Sequence, residues 1–169
     1  VSTVDLAVPF GVTVLAVETA AQMEAALTGL APAADVVVMA AAVADFRPVA
    51  VVPGKIKKDQ GVPQIVLEPT PDILAGLGAT KPAGQVLVGF AAETSDLLVH
   101  AAAKLQRKHL DLIVANDVGA PGVGFQHDTN AVTLLGADGT TRTVALADKR
   151  AIAKAVLDTV VEIRGRDQP

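Results

Sequence analysis

The feature that most constrains the fold is an unbroken apolar run of nine residues, Val36–Ala44. Such a run is typical of a parallel sheet, because helices cover both of its faces and no side chain has to meet water. We predict a strand over its first part, Val36–Ala40. The run ends in the polar sequence DFRP, which begins at Asp45. Parallel sheets bind ligands beyond the carboxyl ends of their strands, so this stretch marks a candidate binding edge.

The rest of the chain alternates between strand and helix patterns, as in an α/β protein. Apolar runs predict further strands at Val12–Val17, Gln64–Glu68, Gln85–Ala91 and Asp111–Asp117. Helices are predicted at Thr19–Leu30, at Thr70–Gly78, from Ser95 to about Lys108, and from Lys149 to about Ile163.

Residues that accept hydrogen bonds from backbone N–H groups stand at the start of each predicted helix. They are Thr19, Thr70, Ser95 and Asp148. Pro71 suits the first helical position, and Asp72 suits the positive end of the helix dipole. In the last helix an apolar stripe predicts the side that faces the core, formed by Ile152, Val156, Val160 and Ile163.

Near the C-terminus, the segments NAVTLL and TRTVAL flank the sequence GADG. This pattern predicts an antiparallel hairpin with its turn at Asp138-Gly139. The whole pattern therefore predicts an α/β fold: a Rossmann-like, mostly parallel sheet with helices on both faces and a C-terminal antiparallel hairpin. We find no repeat or long linker, so we expect one domain over residues 1–169. The start, VSTVDLAVPFG, has the character of a loop that leads into a strand, and we expect the sequence to be the larger C-terminal part of that domain.

The charge and composition of the chain limit the classes of partner that it could bind. The chain has 14 Lys and Arg against 18 Asp and Glu, whereas nucleic-acid binders usually carry a positive excess. It has four Phe and neither Tyr nor Trp, which leaves little for stacking along a nucleic-acid strand. No apolar run approaches the roughly 20 residues of a membrane span, and no signal-peptide pattern occurs. The absence of Cys excludes disulfides and thiolate chemistry. We expect a cytoplasmic protein that binds a small anion.

Two lysine clusters are candidates for that binding. Lys55, Lys57 and Lys58 lie in a loop flanked by Pro and Gly, which is either a plain surface loop or a flap that closes over polyphosphate. Lys104 and Lys108 share one helix face near the helix end. They either offset the negative end of the helix dipole or reach a ligand at the neighbouring strand ends.

Other groups fall near the predicted strand ends. Asp45 suits Mg²⁺, which takes one or two carboxylates and otherwise water and substrate oxygens, but it equally suits a turn cap. The N–H groups after Thr70 form either an anion site or an ordinary capped helix. Phe46 and Phe90 offer a flat wall for a base, although core packing is the usual role of Phe. Together these groups predict a site for a nucleoside triphosphate and a metal ion at one edge of the sheet.

The sequence lacks the motifs that mark several other kinds of functional site. The sequence contains no Walker A motif, no G-x-G-x-x-G fingerprint and no G-x-S-x-G elbow. A Rossmann-like oxidoreductase that uses a nicotinamide cofactor therefore has little support. The three histidines, His100, His109 and His127, show no metal-ligand spacing.

Six segments read together resemble the phosphopantothenate–cysteine ligase family: AAVADFRP, KIKK, PDIL, VGFAAET, KLQRKHLDLIVAND and GFQHDTNAVTLL. They stand in the family's order between about residues 31 and 163. In bacteria this family forms the C-terminal half of a bifunctional coenzyme A biosynthesis protein, fused to a flavin-dependent decarboxylase. The resemblance implies a cytoplasmic homodimer, with the hairpin as a candidate contact. FMN would belong only to the fused decarboxylase half.

The implied reaction joins 4′-phosphopantothenate to cysteine through an acyl-cytidylate, with CTP as co-substrate and Mg²⁺ as the metal ion. Asp45 matches the acid that binds CTP and the metal, Lys55 the lysine of the flap, and Phe90 the aromatic residue near the base. The other implied nucleotide-binding residues are Ala40, Ala41, Ala42, Phe46, Lys57, Pro71, Asp72, Ile73, Leu74, Ala91, Ala92, Lys104 and Lys108. Asn116 is a candidate donor to the acyl carbonyl.

One family feature has no counterpart in this sequence. The family carries an N-terminal glycine-rich segment with an N-x-S-x-G motif, whose asparagine is needed for acyl-cytidylate turnover. We expect this chain to lack that segment, and therefore to bind nucleotide less well and to have reduced ligase activity. The alternative function is a non-catalytic nucleotide-binding or regulatory module of Rossmann-like fold.

Overall fold

The structure, a computed structural model, describes residues 1–50, 54–57, 61–93, 96–117 and 127–166. The chain forms two compact units. We call Val1–Gly29 with Ala42–Ile73 the ribbon unit, and Leu30–Ala41 with Leu74–Pro169 the sheet unit. The single domain expected over residues 1–169 stays a prediction. Within the described part of the chain, no helix is both long and apolar enough to cross a membrane.

The helices and strands alternate along the chain. In chain order they are α1 (Ala20–Leu30), β1 (Val36–Met39), β2 (Phe46–Pro48), β3 (Leu67–Pro69), α2 (Ile73–Thr80), β4 (Val86–Glu93), α3 (Leu97–Arg107), β5 (Leu112–Asp117), β6 (Thr129–Gly136), β7 (Thr141–Asp148) and α4 (Lys149–Arg166). A short 3₁₀ turn, Ala31–Ala33, follows α1.

Five strands form the sheet of the sheet unit, in the order β1-β4-β5-β6-β7. The pairs β1–β4 and β4–β5 are parallel, while β5–β6 and β6–β7 are antiparallel. The fold class predicted from the sequence is therefore confirmed. The hairpin does not lie on the sheet as a separate ribbon but extends it beyond β5.

One face of this sheet packs against α4. The predicted stripe is confirmed, since Ile152, Val156 and Val160 are buried and Ile163 packs beside them. The strand residues in the same core are Val86, Val88, Leu112, Val114, Val132 and Leu134. Burial of each Val, Leu or Ile side chain is worth about 1.5–3 kcal/mol, so this layer contributes much of the stability of the sheet unit.

On the opposite face the elements pack closely at two glycines. A Cβ at Gly89 of β4 would lie 2.7 Å from Leu74 Cδ2 and 2.8 Å from Leu110 Cδ1. A Cβ at Gly78 of α2 would overlap the carbonyl oxygen of Lys108, just after α3. Helix α2 therefore packs directly on β4 and on the end of α3. Only glycine fits at Gly78, where the neighbour is backbone, whereas at Gly89 a Cβ would require the ends of two leucine side chains to shift.

Polar contacts close the amino edge of the sheet. The Lys81 ammonium lies 2.6 Å from Asp111 Oδ1, and both side chains are less than a quarter exposed. Asp111 Oδ2 also accepts the N–H of Leu87 at 2.6 Å. Gln85, which is buried, donates from Nε2 to the Ala31 carbonyl at 2.6 Å. Because buried polar groups are costly when left unpaired, these contacts fix the starts of β4 and β5.

The hairpin turn and two helix starts are confirmed. Gly139 has a φ of +81°, and the N–H of Gly136 donates to the Thr140 carbonyl at 2.9 Å. Asp148 Oδ1 accepts the N–H groups of the second and third residues of α4, at 2.9 and 2.8 Å. Thr19 and Gln22 form a reciprocal capping box at the start of α1, with distances of 3.2 and 3.0 Å.

In the ribbon unit one predicted strand is wrong and another has different bounds. Val12–Val17 forms no strand; its Ala16 makes only an isolated parallel bridge with Ser2. The strand predicted at Gln64–Glu68 is β3, which begins at Leu67 and pairs antiparallel with β2. Strand β2 lies in the sequence DFRP, which was predicted as a polar stretch after the first strand and not as a strand. An apolar pattern cannot show which segment will supply the hydrogen-bonding partner that a strand needs.

The starts of α2 and α3 also differ from the prediction. Helix α2 begins at Ile73, so Pro71 precedes it, and the Thr70 hydroxyl donates to the Ala44 carbonyl. Ser95, the predicted cap of α3, lies outside the described residues. Asp96 precedes α3 with a φ of +48° and makes no side-chain cap hydrogen bond.

Candidate functional site

The carboxyl ends of β4 and β5 meet at one edge of the sheet unit. The parallel register pairs Phe90 with Val114 and Ala92 with Asn116. The sequence prediction that these strand ends lie together is therefore confirmed. Ala40 and Ala41 come directly after β1, whose last residue, Met39, pairs with Gly89 of β4. Ala42 belongs to the ribbon unit.

The residues at this edge differ in what they expose. Phe90 is half-buried and packs against the core beneath α4, so only part of its ring is open to a ligand. Ala91 is 1% exposed and lies on the opposite face, which leaves its side chain no room for a ligand. Ala92 is exposed, and Asn116 is half-buried. This edge thus offers one partly open aromatic ring and one carboxamide.

Within the ribbon unit, the pairing of β2 with β3 places the predicted acid beside the predicted PDIL segment. The N–H of Thr70 donates to the Asp45 carbonyl at 2.9 Å, and Phe46 pairs with Pro69. Asp45 and Phe46 therefore lie next to the chain that continues into Asp72. Asp45 and Asp72 are both exposed, and Phe46 is 58% exposed. These side chains are accessible to a bound molecule.

The ribbon unit also carries the predicted flap. Lys55 and Lys57 are exposed, as a lysine that closes over phosphates would have to be. Gly54 and Gly61 have φ values of +99° and +83°. Lys58 lies outside the described residues.

The backbone of Lys108, directly after α3, lies toward the other edge of the sheet unit. Lys108 follows the last residue of α3, and its N–H donates to the Lys104 carbonyl at 3.0 Å. Just beyond it, the N–H of Asp111 donates to the carbonyl of Leu87, near the start of β4. A crossover helix returns the chain to the amino ends of parallel strands, which explains where the backbone of Lys108 lies. The expectation that the Lys108 ammonium group reaches the binding edge stays a prediction. Both lysines are half-buried and make contacts.

Among the described residues, no group of three or more His, Cys, Asp or Glu could hold a metal ion by itself. Mg²⁺ does not require such a group, since it binds one or two carboxylates and completes its shell with water and substrate phosphates. Asp45 fits that pattern because its side chain is exposed. Its carbonyl accepts the N–H of Thr70, and a second carboxylate, that of Asp72, follows two residues after Thr70. Magnesium at Asp45 stays a prediction.

Sequence reasoning missed one polar side chain at the carboxyl edge. Asn130 is half-buried on β6, two residues before the buried Val132. The signal was present in the segment TNAVTLL, where the alternation places Asn130 on the same face as Val132 and Leu134.

Comparison with known proteins identifies relatives along most of the chain. A family model, the DNA/pantothenate metabolism flavoprotein C-terminal domain, matches residues 1–163. The coenzyme A biosynthesis bifunctional protein CoaBC of Mycobacterium tuberculosis is 45% identical over 169 residues, which cover 94% of this chain and 40% of that protein. The CoaBC protein of Bacillus subtilis is 44% identical over 147 residues, or 87% of this chain and 36% of that protein. The chain thus spans about two fifths of the length of these curated relatives.

Solved structures agree with this match. The crystal structure of the C-terminal domain of a CoaBC protein superposes with a TM-score of 0.77 and 36% identity, and covers 96% of this chain and 71% of that chain. A Cab2 mutant in complex with phosphopantothenate-cysteine superposes with a TM-score of 0.68 and 22% identity, over 90% of this chain and 53% of that chain. The second likeness supports the fold alone.

Proposed function

Because the chain belongs to the family of DNA/pantothenate metabolism flavoprotein C-terminal domains, we propose that it carries out the phosphopantothenate–cysteine ligase reaction of coenzyme A biosynthesis. The observation that carries this proposal is the 45% identity to CoaBC over 94% of the chain. The alternative is a nucleotide-binding module that forms no product.

The proposed reaction has two steps. A carboxylate oxygen of 4′-phosphopantothenate attacks the α-phosphorus of CTP, which forms an acyl-cytidylate and releases pyrophosphate. The amine of cysteine then attacks the acyl carbon, CMP leaves, and the amine loses a proton as the amide forms. Activation is needed because a free carboxylate is a poor electrophile, whereas an acyl-cytidylate carries a good leaving group.

In the ribbon unit, exposed groups would bind the triphosphate. Asp45 would hold Mg²⁺, which offsets the charge that moves onto pyrophosphate. Lys55 and Lys57 would contribute point charges from the flap. The segment Pro71–Leu74 would bind the nucleotide through its backbone. The hydrogen bond between Thr70 and Asp45 supports a common site for the acid and this segment.

In the sheet unit, Phe90 would contact the base with the open part of its ring, and the backbone of Ala40, Ala41 and Ala92 would line the edge. Ala91 would contribute only backbone atoms, since its side chain is buried. Asn116 would donate a hydrogen bond to the acyl carbonyl and so polarise it for the attack by cysteine.

Lys104 and Lys108 would bind the nucleotide, although an effect on the helix dipole is the alternative. Replacement by alanine separates the two roles. If Lys104 contacts the nucleotide, Lys104→Ala raises the Kd for CTP about tenfold and leaves the melting temperature nearly unchanged. Calorimetry and thermal unfolding measure both quantities. A fall in melting temperature with unchanged CTP affinity would assign Lys104 to the dipole.

The proposal also includes the assembly and its place in the cell. The chain would act as a homodimer in the cytoplasm, fused to a flavin-dependent decarboxylase that alone carries FMN. The hairpin would contribute to the dimer contact through β7, the edge strand of the sheet.

Pyrophosphate release tests the proposed function. The ligase reaction predicts release that requires both CTP and phosphopantothenate and that increases when cysteine is added. A module that only binds nucleotide would bind CTP and release no pyrophosphate under any of these conditions.

A further inference from the structure

Asn130 stands at the end of an apolar row that faces α4. Along β6, Val132, Leu134 and Gly136 are buried, and the residues between them are half-buried. Val132 and Leu134 belong to the core beneath α4. Because side chains alternate along a strand, Asn130 projects from the same face, at the end of β6 that lies beside the carboxyl end of β5. A polar residue at an inward-facing position breaks the local rule, and such breaks occur at functional sites.

Asn116 occupies the same face one strand away. The antiparallel register pairs Val114 with Leu134 and Ala115 with Thr133. The ladder ends at this second pair. If its register continues by one step, Asn116 lies opposite Val132, and Asn130 is its diagonal neighbour at about 7–8 Å. Both asparagines are half-buried. Two carboxamides at this spacing can bind two polar groups of one extended molecule.

The orientation of the Asn130 carboxamide is fixed by the backbone. Its Oδ1 accepts the N–H of Ala131 at 3.0 Å, so the Nδ2 group is the donor that remains. A β-bulge lies beside it: from Asn130 to Val132 the chain advances two residues on β6, while β7 advances three, from Ala147 to Val144. The extra residue lies on β7, so the alternation of side chains along β6 that puts Asn130 on the face of Val132 is kept.

We propose that Asn130 is a further substrate-binding residue, which donates a hydrogen bond from Nδ2 to the amide carbonyl of the acyl substrate. The inference rests on the proposed function, in which Asn116 contacts the reacting acyl carbonyl. In 4′-phosphopantothenate, a short aliphatic linker separates the carboxylate from an amide. An asparagine beside Asn116 on the same face is placed to bind that amide, and it would favour amide-containing acids over simple ones.

The replacement Asn130→Asp tests this role. Aspartate has nearly the same size and keeps an oxygen for the Ala131 N–H, but it loses the Nδ2 donor. We expect the Kd for 4′-phosphopantothenate, measured by calorimetry on the full chain, to rise about tenfold, as for one lost hydrogen bond. The Kd for CTP and the melting temperature should not change. Thr133→Ser, on the opposite face of β6, is the matched control and should change none of these values.

A second ligand separates hydrogen bonding from charge repulsion. A ligand with the same carboxylate and phosphate monoester at its ends, but with a hydrocarbon chain in place of the amide, should bind Asn130→Asp and the parent equally. Equal weakening for both ligands, or a fall in the melting temperature, would overturn the inference. So would equal binding of 4′-phosphopantothenate by parent and variant, which leaves the ligase proposal intact. A parent that binds neither CTP nor 4′-phosphopantothenate would contradict the ligase proposal itself.

Discussion

The sheet unit and the ribbon unit are built in different ways. In the sheet unit, α4 covers one face of the sheet and α2 and α3 cover the other, and Leu87, Ile113 and Leu134 are at most 1% exposed. In the ribbon unit, the buried apolar residues among those described are Val17, Met23 and Ile73, while Phe10 is fully exposed. Strands β2 and β3 are joined by backbone hydrogen bonds and an ion pair between Arg47 and Glu68, at 2.8 Å.

This difference bears on the proposed site. The predicted triphosphate ligands Asp45, Lys55 and Asp72 belong to the ribbon unit, where side chains are exposed and make little core. Phe90 and Asn116 belong to the sheet unit, where they border a packed core. Replacements at the first set should change ligand affinity with little effect on stability, whereas replacements of the buried apolar residues of the sheet unit should change stability first.

The largest difference should appear between two leucines. Leu87→Ala removes a side chain that is 0% exposed, and it should lower the free energy of unfolding by about 3 kcal/mol. Leu67→Ala, at a residue that is 55% exposed, should cost less than about 0.5 kcal/mol. Urea unfolding of both variants checks this. Equal losses would mean that the ribbon unit has a core of similar strength.

Two glycines of α2 sharpen the comparison within the sheet unit. Gly78→Ala should destabilise by about 2–3 kcal/mol, because the new Cβ overlaps the Lys108 carbonyl oxygen, which is backbone and cannot move aside. Gly76→Ala, where nothing lies within 4 Å of the new Cβ, should stabilise by about 0.5–1 kcal/mol. Thermal unfolding measures both. The same sign for the two variants would contradict the close approach of α2 to the end of α3.

A smaller effect is expected at the end of α3. The N–H groups of His109 and Leu110 donate to the carbonyls of Gln106 and Leu105, which is a Schellman motif. His109 holds a φ of +52°, where glycine is favoured. His109→Gly should therefore stabilise by about 0.5–1 kcal/mol, and His109→Ala should not. Urea midpoints decide the question, and a gain with alanine would exclude backbone strain as the cause.

The smallest effect concerns pH and the hairpin turn. The Thr140 hydroxyl and N–H donate to Asp138 and, with Arg166, hold the pKa of that carboxyl below its ordinary value. The folded pKa of Asp138 lies below its unfolded pKa. The stabilisation that the ionised carboxylate gives to the folded chain is therefore present above about pH 4 and is lost as pH falls through the folded pKa. Asp138→Asn should lower the urea midpoint slightly at neutral pH, and the difference should vanish in acid. Asp158→Asn is the control, and an unchanged difference in acid would contradict the assignment.

Features that depend on local chemistry could be predicted from the sequence. The Thr19 capping box, the Asp148 cap and the turn at Gly139 are each formed by residues close in the chain. The stripe at Ile152, Val156 and Val160 follows from helical periodicity alone. The parallel strand ends were predictable because topology rules fix where such ends meet.

Features that depend on distant partners could not be predicted. Val12–Val17 has a strand pattern but pairs only through one bridge, and Thr70 binds the Ala44 carbonyl instead of capping α2. The place of Lys108 follows from the length and direction of a crossover helix rather than from the spacing of its lysines. Each of these outcomes depends on which distant segment supplies the hydrogen-bonding or packing partner, and a local sequence pattern does not contain that information.

The most direct test of the proposed function is the product of the reaction. Incubation of the chain with CTP, Mg²⁺, 4′-phosphopantothenate and cysteine should yield 4′-phosphopantothenoylcysteine with CMP and pyrophosphate in equal amounts, as measured by mass spectrometry. Omission of cysteine should leave the acyl-cytidylate and no amide. Saturation with CTP that gives neither pyrophosphate nor amide product would contradict the ligase and would favour a module that only binds nucleotide.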